Sequence, residues 1–268
     1  MFKLVRMAQG ICLSLENKVA IVTGGSRGIG AATVKMFAAA GARVVFNYLS
    51  AKAKADQLIK HCGEDKCLAV QADFQDLRAA NKLVDAAVKQ FGRLDILVAN
   101  HGIWPPEDMP IDKMSDQQWL RTIDTNVNSV FALIKHSVAE MKRQKTNGKP
   151  AGHIVLVSST AGQRGEAFHC DYAASKGALI SMVKGLSTEL AHAGIYVNCV
   201  APGWVDTDMA APALNDPPVA KRVLATIPLG RVGSPEEIAA PILFLCTEHA
   251  GFITGEIFNV NGGAVLVG

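Results

Sequence analysis

Short apolar runs alternate along the chain with longer segments in which apolar residues recur every three or four positions. Runs of the first kind predict buried strands, and segments of the second kind predict helices. The predicted strands are Lys18–Thr23, Ala42–Asn47, Lys66–Gln71, Leu94–Ala99, His153–Val157, Ile195–Val200 and Glu256–Val260. The predicted helices are Gly28–Ala40, Ala51–Cys62, Asp76–Phe91, a long helical region from about Ser115 to Lys142, Tyr172–Ala191 and Pro235–Cys246.

This alternation predicts an α/β fold with a parallel sheet and helices on both of its faces, because parallel strands need crossover connections. We expect a single doubly wound domain of the Rossmann type over residues 15–268, preceded by a flexible leader at residues 1–14. A polar linker, Gln144–Gly152, interrupts the pattern. In such sheets ligands bind beyond the carboxyl ends of the strands, so functional residues are expected in the loops that follow them.

Composition narrows the functional classes. The 268 residues carry a formal net charge of only +3 and no long basic run, which argues against nucleic acid binding. The six cysteines form no C-x-x-C pair and no histidines cluster, so no metal site is predicted and a reduced, cytoplasmic protein is expected. No stretch approaches the roughly 20 apolar residues that span a bilayer, so no membrane partner is expected.

A glycine-rich turn follows the first predicted strand and begins the first helix. Its spacing is G-x-x-x-G-x-G, and such a turn lets the backbone approach a diphosphate at a helix N-terminus. A tight turn that needs glycine only for its geometry is the alternative interpretation. The candidate cofactor-binding residues here are Gly24, Ser26, Arg27, Gly28, Ile29 and Gly30.

The end of the second predicted strand bears on the choice of cofactor. A carboxylate there would bind the ribose 2′-hydroxyl of NAD and repel a 2′-phosphate. This chain instead has Asn47, Tyr48, Leu49 and Ser50, and Arg27 supplies a cation nearby. We therefore predict NADPH/NADP+ as the cofactor, with NADH less favoured. The alternative is that Arg27 is simply solvated and both cofactors are accepted.

Tyr172 and Lys176 lie four residues apart in a predicted helix and therefore share one face. An ammonium near a phenol favours the phenolate, so Lys176 is expected to lower the pKa of Tyr172. The same ammonium can hydrogen-bond the ribose of a nicotinamide. Ser159 ends the fifth strand, and its hydroxyl can polarise a substrate carbonyl. The spacing Y-x-x-x-K is common by itself. Its position after the fifth strand and Ser159 strengthens its interpretation as a catalytic pair.

Together, the glycine turn, Ser159, Tyr172 and Lys176 resemble the short-chain dehydrogenase/reductase family, from about Leu15 to Gly263. The C-terminal segments Ile253–Glu256 and Asn259–Gly263 resemble its 3-oxoacyl-[acyl-carrier-protein] reductase branch. The resemblance implies a catalytic tetrad of Asn126, Ser159, Tyr172 and Lys176. It also implies cofactor contacts from the glycine turn, Tyr172, Lys176, Asn47, Tyr48, Asp73, Phe74, Asn100, Gly102, Pro202, Gly203, Val205 and Thr207.

Two departures from the family pattern stand out. After the fourth strand the family usually carries Asn-Asn-Ala-Gly, whereas this chain has Ala99-Asn100-His101-Gly102. His101 could tune the pH dependence, or it could be a satisfied structural histidine, which is the favoured interpretation. Thr188 and Ala193 stand where some relatives place arginines that dock an acidic carrier protein, which weakens the case for that partner.

The resemblance implies reduction of a carbonyl, with a 3-oxoacyl thioester carried by coenzyme A or acyl carrier protein as the favoured small-molecule substrate. The alternatives are a dehydrogenase of a sugar, steroid or other small alcohol, and a non-catalytic dinucleotide-binding protein. A mobile lid after the sixth strand, a partly apolar pocket and a homotetramer are also expected. The pocket candidates are Trp104, Pro105, Pro106, Phe168, Trp204, Met209 and Pro212.

Overall fold

The computed structural model describes residues 12–144 and 150–267, and its centre is one parallel sheet. Its seven strands follow the order β3-β2-β1-β4-β5-β6-β7. This confirms the predicted fold class and all seven predicted strands. The strands are β1 (Val19–Val22), β2 (Arg43–Tyr48), β3 (Cys67–Gln71), β4 (Ile96–Ala99), β5 (Gly152–Val157), β6 (Ile195–Pro202) and β7 (Ile257–Val260).

Ten α-helices connect the strands in the part of the chain that the structure describes. They are α1 (Gly28–Ala39), α2 (Lys52–Cys62), α3 (Arg78–Phe91), α4 (Asp116–Ile123), α5 (Ser129–Arg143), α6 (Thr160–Arg164), α7 (Cys170–Leu190), α8 (Ala211–Leu214), α9 (Pro217–Ala225) and α10 (Pro235–Leu245). Residues 1–11 of the predicted leader and residues 145–149 of the predicted linker lie outside the described residues.

Two apolar clusters cover the two faces of the sheet. One contains Leu83, Leu133 and Leu179 from α3, α5 and α7. The other contains Phe37 and Ile242 from α1 and α10. Every residue of β1 and β4 is buried, as expected for central strands that are apolar on both faces. The order β2-β1-β4 puts the reversal of the winding at β1 and β4, which opens a crevice at their carboxyl ends.

Apart from small shifts at element ends, the structure differs from the predicted elements in four places. Helix α6 occupies the predicted loop between Ser159 and Tyr172. A π-helical turn, Asp124–Asn128, separates α4 from α5 within the predicted long helix. Strand β6 continues to Pro202, two residues past the predicted end at Val200. Helices α8 and α9 occupy the predicted lid, where Asp216 caps α9 by accepting from the N–H of Val219 at 3.3 Å. No helix within the described residues is long and apolar enough to cross a membrane.

The helices begin in two different ways. Ser115 caps α4 by accepting the Gln118 N–H, and Ser234 forms a capping box with Glu237 at the start of α10. Helix α1 begins after Arg27, and no side chain of the described residues caps it. Its free N–H groups therefore point toward the crevice at the carboxyl end of the sheet.

Candidate active site

A glycine turn joins β1 to α1 at the carboxyl edge of the sheet. The N–H of Gly24 donates to Asn47 Oδ1 at 2.7 Å, and the N–H of Gly25 donates to the Asn47 carbonyl at 3.0 Å. At Gly30 a Cβ atom would collide with the Gly24 carbonyl and would lie 2.7 Å from Asn100 Nδ2. The turn thus leaves bare backbone at the N-terminus of α1, and such a cradle fits a diphosphate.

Thr23 connects this turn to the end of β4. Its Oγ1 accepts the N–H of Asn100 at 2.9 Å and the N–H of His101 at 3.2 Å. Asn100 Nδ2 in turn donates to the Thr23 carbonyl at 2.9 Å. These hydrogen bonds fix the separation of β1 and β4 at the crevice. The contact of Asn100 with a cofactor stays a prediction.

Three charged side chains meet beside the glycine turn. Asp208, which follows β6, lies 2.9 Å from Lys54 Nζ and 3.6 Å from the Arg27 guanidinium. The hydrogen bond from Lys54, aided by the charges of Lys54 and Arg27, lowers the pKa of Asp208. All three side chains are more than half exposed. The cation predicted to receive a 2′-phosphate therefore already has a carboxylate partner.

The loop after β3 contributes Asp73 and Phe74. Asp73 Oδ1 accepts the N–H of Gln75 at 3.0 Å, which closes a short turn. The Phe74 ring is buried and stacks on the His101 ring, with 4.2 Å between the two centroids. The predicted adenine-contacting loop is thereby packed directly against the loop that follows β4.

Lys176 is the buried cation of the site. Its Nζ donates to the Val157 carbonyl at 2.9 Å, and Ser158 Oγ donates to the Lys176 carbonyl at 2.7 Å. A Cβ atom on Gly102 would lie 3.3 Å from Lys176 Nζ and 3.2 Å from Asn126 Oδ1. The end of β5 and the loop after β4 therefore converge on the amine, and Gly102 allows their close approach.

Tyr172 lies one helical turn before Lys176 in α7, and its ring centroid is 5.8 Å from Lys176 Nζ. Burial raises the pKa of Tyr172 to about 12; the Ser159 hydroxyl opposes this rise by hydrogen bonding, and the Glu166 carboxylate adds to it. The predicted lowering by Lys176 is wrong, because the pKa of Tyr172 is raised and burial is the main cause.

Burial also lowers the pKa of Lys176 to about 8. Both partners are thus shifted toward their uncharged forms, since desolvation disfavours phenolate and ammonium alike. A phenol with this pKa holds its proton at pH 7, and an amine with this pKa exchanges its proton readily near neutrality. The pair is suited to donating a proton and replacing it.

Asn126 lies in the π-helical turn between α4 and α5 and is fully buried. Its Oδ1 accepts the N–H of Ile103 at 2.8 Å, and its Nδ2 donates to the Ile103 carbonyl at 2.9 Å and to Ser175 Oγ at 3.0 Å. π-Helical turns occur frequently at functional sites. The extra residue of this turn brings the Asn126 amide to the loop after β4.

Ser159 lies two residues past the end of β5 and caps the start of α6. Its Oγ accepts the N–H of Ala161 at 3.1 Å, so the hydroxyl serves as a helix cap. It also contributes a hydrogen bond that lowers the pKa of Tyr172 against the effect of burial. The Ser159 hydroxyl therefore lies within hydrogen-bonding reach of the Tyr172 phenol, and its predicted contact with a substrate carbonyl stays a prediction.

Aromatic rings form one wall beside Tyr172. The Trp104 ring lies 5.0 Å from the His169 ring and 6.1 Å from the Trp204 ring, between centroids. Phe168 has a left-handed φ of +64° and a side chain that is 53% exposed. These residues follow β4, β5 and β6, where the pocket was predicted.

The same wall carries acidic groups that the sequence analysis missed. His169 Nε2 lies 3.3 Å from Asp108 Oδ1. Burial raises the pKa of Glu166, against the opposing effects of His169 and of a hydrogen bond with Trp104. The pocket is therefore more polar than predicted. Within residues 12–144 and 150–267, no group of three or more His, Cys, Asp or Glu side chains could hold a metal ion.

The segment after β6 reaches back to the glycine turn. The N–H of Gly203, which follows Pro202, donates to the Val260 carbonyl at 3.0 Å. Val205 pairs with Gly233 in an isolated bridge, and a Cβ on Gly28 would lie 3.1 Å from Thr207 Cγ2. The residues predicted to contact the nicotinamide therefore lie next to those predicted to hold the diphosphate.

The predicted site residues thus share one edge of the sheet, and their roles stay predictions. Asn126, Lys176 and Gly102 are in close approach, with Tyr172 and Ser159 next to them. Sequence reasoning missed five charged or titratable residues. Their only sequence signal was a position between a strand and the body of the following long helix: Lys54, Asp108, Glu166, His169 and Asp208.

Comparison with known proteins extends over nearly the whole chain. A family model described as enoyl-(acyl carrier protein) reductase matches residues 24–265. The chain is 39% identical to a 3-oxoacyl-[acyl-carrier-protein] reductase of Synechocystis sp. over 258 residues, which covers 94% of this chain and 99% of that protein.

Two solved structures from Brucella melitensis share the fold. One is described as a short-chain dehydrogenase/reductase, glucose/ribitol dehydrogenase; it has a TM-score of 0.87 and 35% identity and covers 96% of this chain and 100% of its own. The other is a 3-ketoacyl-(acyl-carrier-protein) reductase complexed with NADH. It has a TM-score of 0.86 and 32% identity and covers 94% of this chain and 100% of its own.

Proposed function

The chain belongs to the short-chain dehydrogenase/reductase family, as an NAD(P)-dependent oxidoreductase, and from this premise we propose that it reduces a 3-oxoacyl thioester with NADPH. The observation that carries the proposal is the convergence of Lys176 and Asn126 on Gly102, with the Tyr172 ring centroid 5.8 Å from Lys176 Nζ. These groups combine a proton donor with a route that resupplies it. The relatives named as 3-oxoacyl-[acyl-carrier-protein] reductases support the substrate class.

The chain offers a suitable cradle for the dinucleotide. Residues Gly24–Gly30 and the N-terminus of α1 would hold the diphosphate, and Lys176 would hold the nicotinamide ribose. Asp73 and Phe74 would contact the adenine, and Pro202–Thr207 would contact the carboxamide, as the family resemblance implies. When bound, the cofactor supplies the hydride for the carbonyl carbon.

Tyr172 is the proposed general acid. With a pKa raised to about 12 by burial, its phenol carries the proton that reduction places on the carbonyl oxygen. The Ser159 hydroxyl would hydrogen-bond the same oxygen and polarise the carbonyl. Lys176, with its pKa lowered to about 8 by burial, would return a proton to Tyr172, together with Asn126.

NADPH is the proposed cofactor because the end of β2 carries no carboxylate and Arg27 lies in the glycine turn. Lys54 adds a second cation, and both contact Asp208. A 2′-phosphate would compete with Asp208 for these cations. The preference therefore depends on charged groups from three different segments of the chain.

A dehydrogenase of a sugar or another small alcohol is the second candidate. Glu166, His169 and Asp108 give the pocket polar groups that could accept hydrogen bonds from substrate hydroxyls. One solved neighbour is described as a glucose/ribitol dehydrogenase, which is consistent with this alternative.

A substrate panel separates these functions. We expect kcat/KM for NADPH oxidation with acetoacetyl-CoA to exceed kcat/KM for NADP+ reduction with glucose or ribitol and for NADPH oxidation with crotonyl-CoA. Crotonyl-CoA tests the C=C reduction suggested by the enoyl reductase description of the family model. Turnover of a polyol alone would favour the second candidate, and turnover of crotonyl-CoA alone would contradict carbonyl reduction.

A homotetramer is the proposed assembly. Leu120 and Phe131 on α4 and α5 are more than half exposed, and Leu266 at the C-terminal end is 89% exposed. Apolar side chains with this exposure are suited to burial against further copies of the chain. Light scattering should give four times the chain mass of 28.4 kDa, and a monomeric mass would contradict the proposal.

A further inference from the structure

His101 occupies an unusual place in the site because its ring contacts three different segments. Its Nδ1 lies 2.8 Å from Thr23 Oγ1, and its Nε2 lies 2.7 Å from Ser129 Oγ. One face of the ring stacks on Phe74 at 4.2 Å between centroids. A single side chain thus links the glycine turn, the loop after β3 and the start of α5.

The surrounding hydrogen bonds select one tautomer. Ser129 Oγ donates its proton to the Thr125 carbonyl at 2.6 Å, so it must accept from His101 Nε2. Thr23 Oγ1 already accepts two backbone N–H groups, and its own proton is directed to His101 Nδ1 at 2.8 Å rather than to the Val98 carbonyl at 3.4 Å. The ring is therefore neutral, with its proton on Nε2.

The charge state is equally constrained. Burial, followed by the nearby Lys176 ammonium, lowers the pKa of His101 to about 3. Protonation of Nδ1 would also place its N–H donor opposite the hydroxyl proton of Thr23, which is unfavourable. The ring therefore does not titrate near neutral pH, which disfavours a role in pH tuning.

The residues that contact the ring lie next to two parts of the proposed site, the cofactor-binding glycine turn and Asn126. Thr23 directly precedes the glycine turn, and Ser129 Oγ donates to the carbonyl of Thr125, the residue directly before Asn126. Asn126 is itself bound on two sides by the backbone of Ile103, two residues beyond His101. A displacement of the ring would therefore shift both the glycine turn and Asn126.

We infer that His101 is a positioning residue that couples the cofactor-binding turn to Asn126 through the chain Thr23–His101–Ser129. Because only the proposed function assigns Asn126 to the proton route, the inference rests on that function. Its measurable consequence is that loss of the imidazole weakens dinucleotide binding and slows turnover together.

His101→Ala tests the inference with two readouts. The Kd of NADPH, measured by fluorescence titration, should rise about fivefold to tenfold, since the loss of one or two hydrogen bonds is involved. The kcat with acetoacetyl-CoA should fall by a similar factor. The pH profile between pH 6 and 9 should keep its shape, because His101 is neutral throughout this range.

Ser129→Ala and His101→Asn test the two contacts of the His101 ring separately. Ser129→Ala removes the contact nearest Asn126, so kcat should fall while the Kd of NADPH stays within twofold. His101→Asn keeps an acceptor near Thr23, so binding of NADPH should recover more than kcat does. These variants also carry the test if His101→Ala does not fold.

His153→Ala is the matched control. His153 is another buried, neutral histidine, with its pKa lowered to about 4 by burial, but it lies at the opposite end of β5 and packs on Tyr196. Its loss should lower the Tm and leave both readouts unchanged. Unchanged Kd and kcat in His101→Ala, or equal losses in His153→Ala, would overturn the inference.

The proposed function and this inference fail in different ways. If the wild-type protein reduces no carbonyl, the function fails, whereas the Kd of NADPH still reports on the link through His101. If carbonyls are reduced and Tyr172→Phe is inactive, but His101→Ala behaves as wild type, only the inference fails.

Discussion

The dinucleotide side of the site and its substrate side share one sheet edge but are held in place differently. The dinucleotide side, formed by the loops after β1, β2 and β3, is tied by hydrogen bonds from Thr23, Asn47 and Asn100 to strand ends. On the substrate side, the loops carrying Trp104, Glu166 and Trp204 rest on ring contacts and a few polar pairs.

The difference shows where the sequence is free to vary. Backbone geometry determines the dinucleotide side, so a change there disturbs several strands at once. Side-chain chemistry determines the substrate side, so a change there alters selectivity while the fold remains. Tyr172 and Lys176 lie between the two sides and should be sensitive to both. Four tests, which use five substitutions, examine this contrast in descending order of expected effect.

Tyr172→Phe should cause the largest loss, because it removes the proposed proton donor between the two sides. We expect kcat for acetoacetyl-CoA reduction to fall by roughly 10²–10⁴-fold, the usual contribution of general acid catalysis. The Kd of NADPH should stay within twofold, because the glycine turn is untouched. Steady-state kinetics and fluorescence titration measure the two quantities; near-normal turnover would remove Tyr172 from the mechanism.

Gly30→Ala should damage the dinucleotide side most. Its Cβ would collide with the Gly24 carbonyl and approach Asn100 Nδ2. Overpacking of this kind costs about 1–3 kcal/mol, so the Kd of NADPH should rise roughly tenfold to a hundredfold. Ala31→Ser, at the next position of α1, is the matched control and should bind NADPH normally. Equal binding by both variants would show that the turn tolerates a side chain.

Arg27→Ala and Asp208→Asn should have opposite effects on cofactor choice. Loss of the guanidinium should raise the KM for NADPH by about tenfold and leave the KM for NADH unchanged, since a charge-assisted contact is lost. Loss of the competing carboxylate should tighten NADPH binding by up to about fivefold, the range expected for exposed ion pairs. Parallel changes with both cofactors would contradict a 2′-phosphate site.

Glu166→Gln should have the smallest effect, confined to the substrate side. The Glu166 carboxylate raises the pKa of Tyr172, so its removal should shift the alkaline limb of the reduction profile to lower pH. Oxidation of the alcohol, which needs the phenolate, should then begin at lower pH. Asp108→Asn is the control, since Asp108 is exposed and is not among the groups that shift Tyr172. An unshifted profile in Glu166→Gln would show that the Glu166 carboxylate does not raise the pKa of Tyr172.

Much of the dinucleotide side could be predicted from sequence because it depends on patterns that are local in the chain. The apolar runs defined all seven strands, and the glycine spacing located the turn before α1. The four-residue spacing of Tyr172 and Lys176 placed both on one helical face. Each of these follows from short-range geometry that a single segment encodes.

The substrate side was less predictable because its properties arise between distant segments. The raised pKa of Tyr172 depends on burial and on Glu166, neither of which the local spacing reveals. The π-helical turn at Asn126 spans only five residues, too few for the apolar period of the predicted helix to reveal it. The short helix α9 could have been found from Asp216 and Pro217, which are strong signals for the start of a helix.

Because the N-terminus of α1 is uncapped, the stability of the folded protein should depend on the concentration of the dinucleotide. Helices α4, α9 and α10 satisfy a first-turn N–H group with a serine or aspartate side chain, whereas the described residues provide no such cap for α1 after Arg27. A diphosphate that completes this helix adds its binding free energy to the folded state alone. Thermal protection should therefore rise with dinucleotide concentration, and a cell short of the coenzyme would lose the polypeptide to proteolysis sooner.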